Sequence, residues 1–196
     1  MLRPIVWRGA MLAAAALAFA AGPALAWQAT PLAGGGNAIR DCVAAGGEPR
    51  ERFPALGQPG GEITPLAAPA LFCAFTGAAG ADPRDSTIEI AADTLFAQRP
   101  TLAAIAWFAK PPLPASTGSA NPASLYCSHL GGADQIGGVL GPLGGWYAEA
   151  APDAPPLDVC VFPDGSKIDA WGLAYHSQGV IRGADLSPLF GWRPRT

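Results

Sequence analysis

The chain has 196 residues, with 12 basic against 15 acidic side chains and a formal charge of −3. It carries no basic cluster and no Lys/Arg face interleaved with aromatics, which argues against nucleic acid and anionic membrane surfaces as partners, because phosphate binding rests on concentrated positive charge. Gly and Pro fill 25 and 21 positions, so many turns and some poorly ordered connections are expected.

At the N-terminus, Arg3 and Arg8 precede an apolar run from Met11 to Ala21, then Gly22-Pro23 and Ala24-Leu25-Ala26. This predicts a signal peptide over residues 1–26, cut after Ala26 to leave Trp27 first. The run of 11 residues is short of the roughly 20 that span a bilayer. No cysteine follows the cut, which excludes lipid attachment there, and the product is expected in the periplasm or outside the cell. Removal leaves 170 residues with 10 basic and 15 acidic groups, a formal charge of −5. That length suits one ordinary domain or two small ones.

Cys42, Cys73, Cys127 and Cys160 are even in number, and an oxidising compartment predicts disulfides. Their gaps of 31, 54 and 33 residues lack the close pairs of a zinc site; no metal and no cofactor are expected. The two similar gaps also suggest a repeat. Cys42-Val43-Ala44-Ala45-Gly46-Gly47 lies over Cys127-Ser128-His129-Leu130-Gly131-Gly132, and Cys73-Ala74-Phe75 over Cys160-Val161-Phe162. Ser86-Thr87-Ile88-Glu89 then lies over Ser166-Lys167-Ile168-Asp169. On that reading the pairs are Cys42 with Cys73 and Cys127 with Cys160, one of three connectivities.

The expected fold class is α+β, as two small disulfide-closed units, each a short helix followed by an antiparallel sheet or hairpin. The first covers 27–110 and ends in a helix over Thr101 to Ala109, where Leu102, Ile105, Ala106 and Ala109 follow helical spacing and pack on the core. That stretch is too short to span a membrane and is followed by Pro111-Pro112, so no stable membrane insertion is expected after leader removal. Pro111 to Ala120 reads as a linker.

The second unit, 121–196, opens on a helix capped by Asn121, with Pro122 in its first turn and Gly131 left-handed at its end; Leu125 and Cys127 to Leu130 supply its buried side. Strands are expected at Gln135 to Leu140 and Trp146 to Glu149. A hairpin follows, from Asp158 to Phe162 through Pro163-Asp164-Gly165 to Ser166–Trp171. These residues, N-P-A-S from Asn121, C-x-x-x-G-G from Cys127 to Gly131-Gly132, C-V-F-P-D-G-S from Cys160 through Phe162 to Ser166, and Trp171, resemble a family of small secreted bacterial proteins of unknown function that carries a haemolysin label. The resemblance runs from about Asn121 to Tyr175. It implies an exported, compact, disulfide-bonded module and supplies no catalytic residue. The chain departs from the pattern by an insertion, Ala148 to Leu157, and its first unit lacks N-P-A-S and the P-D-G turn.

No segment suits a lytic role. Catalytic residues are not identified: His129 and His176 read as surface or edge residues, Asp153, Asp158, Asp164 and Asp169 as turn and solvent-face residues, and the motifs G-x-S-x-G and H-E-x-x-H are absent. The glycine stretches Gly34–Gly36 and Gly137–Gly145 lack the context of phosphate loops. The reading that results is a non-catalytic envelope module binding a protein, glycan or other surface component. Its alternatives are a hydrolase using a histidine with an aspartate, or a proteinase inhibitor presenting the loop Glu149 to Asp158.

Overall fold

A computed structural model describes residues 35–57, 59–77, 87–115, 121–134, 144–151 and 153–195. The expected signal peptide, Ser86, residues 116–120 of the linker and the strand expected at 135–140 lie outside them. The first half runs α1 (Gly35–Ala44), β1 (Glu48–Gly57), β2 (Ile63–Pro65), β3 (Ala70–Thr76), β4 (Thr87–Ala91), α2 (Ala92–Leu95) and α3 (Leu102–Ala109). The second runs α4 (Pro122–His129), β5 (Ala133–Asp134), β6 (Gly145–Ala148), β7 (Val159–Val161), β8 (Lys167–Asp169) and α5 (Ala170–Ser177). The class is α+β, and disulfides Cys42–Cys73 and Cys127–Cys160 each tie a helix to a strand, with Cα separations of 5.7 and 5.5 Å.

All named strand pairs are antiparallel, and their register carries the architecture. Arg52 stands opposite both Ala70 and Ala148, so β3 and β6 flank opposite edges of β1. From β3 the sheet continues through β4 and β8 to β7, with β5 beyond. Two residues before β7, Leu157 exchanges both backbone hydrogen bonds with Trp146 of β6, at 2.9 and 3.0 Å. The path β1–β3–β4–β8–β7 thus returns through β6 to β1, a ring of six antiparallel segments that satisfies edges otherwise left unpaired. The two disulfide-closed halves meet within this one sheet, where Ile90 of β4 faces Ile168 of β8.

Strand alternation divides the packing. One set of positions, including Cys73, Phe75, Ile88, Ile90, Cys160 and Ile168, joins the large core with Leu95, Trp107, Tyr126 and Leu173 of the helices. The alternate set, Phe72, Ala91, Trp146 and Val159, forms a second cluster with Ala70, Leu157 and Val161. On that same face Arg52 and Glu89 are buried, 8% and 3% exposed. Glu89 accepts from Arg52 Nε and Nη2 and from Arg50 Nη1, while Arg52 Nη1 donates to the Trp146 carbonyl.

Several expectations are corrected. The chain leaves the sheet after Asp169, whose carboxylate accepts from the Gly172 amide and starts α5; Trp171, expected at the end of the hairpin strand, is therefore helical, and His176 lies in the same helix. In α3 the buried side is Ala103, Ala104, Ala106 and Trp107, while Leu102 and Ile105 are 39% and 44% exposed, because Trp107 sets the face that turns inward. In α4 the buried residues are Ala123, Tyr126 and Cys127, and Leu130 packs partly buried on the core; of the other expected positions Leu125 is half-buried and Ser128 and His129 are exposed.

Candidate functional site

The motif residues are brought together mostly as joints between elements. Asn121 Oδ1 caps α4 by accepting from the amides of Ala123 and Ser124, at 2.9 and 3.5 Å, and Pro122 fills the first turn, where its missing N–H leaves nothing unpaired. Gly131 ends the helix at φ +82°, and a Cβ on Gly132 would fall 2.6 Å from Cys160 Sγ and 2.8 Å from Cys127 Sγ. The second glycine is what lets the chain pass against the disulfide. Phe162 is buried in the large core.

The Pro163-Asp164-Gly165 turn reaches back to the first half. Asp164 Oδ2 accepts from the Leu102 amide at 2.7 Å and Ser166 Oγ from the Ala103 amide at 3.1 Å, so the turn caps α3. Partial burial pushes the Asp164 carboxyl up, yet the hydrogen bonds from Ser166 and the Leu102 amide hold it below the ordinary aspartate range. Its negative charge sits at the positive end of a helix.

Asp158 and Asp169 are not solvent-face residues: they are 7% and 0% exposed. Asp158 Oδ2 accepts from Asn121 Nδ2 at 3.2 Å. Burial, followed by the adjoining Asp134 carboxyl, pushes its pKa up to about 8. Asp134 in turn accepts from Ser124 Oγ, so the N-P-A-S segment, β5 and the residue before β7 are linked through four side chains, Asn121, Ser124, Asp134 and Asp158. Asp169 caps α5 and lies 3.7 Å from Arg182 Nη1; burial raises it to about 6 against the opposing pull of Arg182. A cleft of about 350 Å³ opens here, lined by Asn121, Leu157, Asp158, Asp169, Trp171 and Arg182 among others. Trp171 is half-buried and its ring centroid is 5.8 Å from that of Tyr175, which is 37% exposed.

The histidines do not reach this cleft. His129 is exposed at the end of α4. His176 is 2% exposed, against the expectation of a surface residue, and stacks on Trp107 with centroids 3.5 Å apart and planes 9° apart. Burial, aided by the charge of Lys110, lowers it to about 4. The nearby Ser187 Oγ hydrogen-bonds Asp185 Oδ1 at 2.6 Å and accepts from Trp107 Nε1; its hydroxyl is thus directed to a carboxylate rather than an imidazole, unlike an activated nucleophile.

A larger groove, about 690 Å³, follows β1 and the start of the 148–157 insertion. Arg50 pairs there with Glu48 and Glu89, while Glu51 and Glu149 form a like-charge pair in which Glu51 is pushed up first by its hydrogen bond with Glu149. The insertion is anchored by the Trp146–Leu157 pairing and by an Ala148–Ala151 bridge, leaving a short exposed segment between. Among the described residues no group of three or more His, Cys, Asp or Glu could hold a metal ion, and no helix is long and apolar enough to cross a membrane. No family model matches the chain, and no curated protein or solved structure matches it.

Proposed function

We propose that this chain is an exported, non-catalytic module of the bacterial envelope that binds a component of that compartment in the cleft beside Trp171. The observation that carries the reading is the state of the two cleft carboxyls. Asp158 is committed to Asn121 and the adjoining Asp134 carboxyl and Asp169 to the α5 cap, and among the described residues no histidine, serine or cysteine lines the cleft beside them, whereas an activated nucleophile or base is set by such a partner. A half-buried tryptophan beside a few fixed polar groups is the composition of a recognition site. The Cys127–Cys160 disulfide ties α4 to β7 beside the cleft, which reduces the ordering cost on binding. Export is supported by the leader pattern of residues 1–26 together with the two disulfides.

Membership in the secreted family with the haemolysin label, and descent of the two halves from one duplicated unit, belong to the same proposal. Supporting the second, each cysteine-bearing helix ends in a Gly-Gly pair and leads to a strand beside the other cysteine: Pro49 faces Cys73, and Asp134 faces Cys160. Ile90 and Ile168 hold matching places beside those cysteines and face one another across β4 and β8, as a local two-fold relation between copies requires.

The test is expression of the full chain in a bacterial host, followed by fractionation, N-terminal sequencing and sedimentation with sacculi or outer-membrane fractions. Expected are recovery from the periplasm with Trp27 first and saturable co-sedimentation reduced by Trp171→Ala. Retention of residues 1–26 in the cytoplasm would contradict export. Turnover of ester, peptide or glycoside substrates that is lost on Asp158→Asn would replace the binding reading by an enzymatic one.

A further inference from the structure

We infer that the cleft between Trp171 and Asp158 takes a neutral, hydroxyl-rich glycan, packed by its pyranose face on the indole; this deepens the binding-module reading and rests on it. A pyranose presents a C–H face that packs on an aromatic plane and an edge of hydroxyls that both donate and accept. Both requirements meet here. Trp171, with Pro156 and Leu157, supplies carbon surface, and the exposed Tyr175 lies against Trp171, ring centroids 5.8 Å apart and planes 32° apart. On the polar side, Asp169 Oδ2 is buried without a hydrogen-bond donor, the Arg182 nitrogen at 3.7 Å being too distant for one. A buried acceptor left in that state is costly, and a ligand hydroxyl would satisfy it.

Charge selects against the other small ligands. Arg182 is paired with Asp169, so the cleft offers no uncommitted cation to a phosphate or carboxylate. Asp158 is buried between Asn121 Nδ2 and the adjoining Asp134 carboxyl, and burial followed by that carboxyl pushes it up, so it does not stand in the cleft as a free anion to attract cationic ligands. What remains is a site with an acceptor and an aromatic plane, of a volume at the small end of ligand pockets.

The experiment uses the full chain, exported and oxidised, titrated with neutral pentasaccharides of glucose, mannose and N-acetylglucosamine and with pentagalacturonate as the acidic comparator. Tryptophan fluorescence and indole NMR signals report binding. At least one neutral oligosaccharide is expected to bind saturably and the acidic one not to. Trp171→Ala should weaken binding about tenfold and Trp171→Phe by less than about threefold, the scale of an aromatic contact. If Trp171→Ala alters the circular dichroism spectrum, the exposed Tyr175→Ala serves instead and should weaken binding of the pentasaccharide relative to the disaccharide. Binding indifferent to Trp171→Ala in a folded protein, or to Tyr175→Ala, would overturn the site. Absence of oligosaccharide binding with co-sedimentation retained would overturn the ligand class alone; loss of both would overturn the binding-module reading as well.

Discussion

Replacing Glu89 by Leu should cost far more stability than replacing Glu89 and Arg52 together. Glu89 is 3% exposed and accepts from both arginines, with Arg52 Nη2 at 2.7 Å and Arg50 Nη1 at 2.8 Å. Without it, Arg50 keeps Glu48 at 2.7 Å in solvent, but Arg52, 8% exposed, keeps only the Trp146 carbonyl at 3.1 Å. A buried guanidinium left with one neutral acceptor puts the loss at about 3–5 kcal/mol. Arg52→Leu with Glu89→Leu removes both charges from a face already occupied by Phe72, Ala91 and Trp146, and should return stability to within about 1 kcal/mol of the parent. Urea unfolding of the oxidised chain, read by circular dichroism at one pH, measures Glu89→Leu, Arg52→Leu and the double variant. If the double variant loses the sum of the single losses, the pair is not an isolated buried charge couple and the packing assigned to this face is wrong.

Three further outcomes follow from the same packing. His176, ordinarily near 6.5 and lowered to about 4 by burial, binds its proton in the unfolded chain first; stability should therefore fall by about 3 kcal/mol as pH drops through that window, and His176→Phe should flatten this acid limb in thermal unfolding measured from pH 7 to 4. Asp158 titrates with the opposite sign: raised from 3.8 to about 8, it supports folding fully below the lower value and loses that contribution as pH rises through the upper. Asp158→Asn should accordingly gain on the parent with increasing pH, by up to about 4 kcal/mol at pH 7, and equal destabilisation at pH 5 and pH 8 would refute the assignment. Gly132→Ala should destabilise by about 1–3 kcal/mol through overpacking against both sulfurs of the Cys127–Cys160 bridge, read as a shift in denaturation midpoint that disappears when the bridge is reduced.

Local chemistry made the second half legible. Asn121, Pro122 and Gly131 define a helix by cap, first turn and left-handed end, and each acts within the first or last turn, so no distant partner is needed to read them. The spacing of the cysteines and their Gly-Gly flanks likewise led to the observed disulfide pairs. What escaped the sequence depends on partners far along the chain. The closure of the ring rests on Leu157 meeting Trp146 across the insertion, and nothing in a proline-rich stretch announces a backbone partner. Asp158 and Asp169 looked like turn residues because loosely spaced acids are mostly solvated; their burial is set by Asn121 and Arg182, 37 and 13 positions away. The helix beginning at Ala170 is hard to read because Ile168 precedes it, Trp171 sits inside it and Gly172 is a poor helix former; its local start signal is Asp169 at the cap.

Carbon-13 NMR of the aspartate carboxyls through a pH titration of the oxidised full chain tests most directly whether the cleft is a neutral, built recognition site. The account predicts that Asp158 titrates at about 8 and Asp169 at about 6, both above the ordinary 3.8. Midpoints for both near 3.8, with the remaining aspartates indistinguishable from them, would mean that the two carboxyls are solvated and charged, and would contradict the cleft as described.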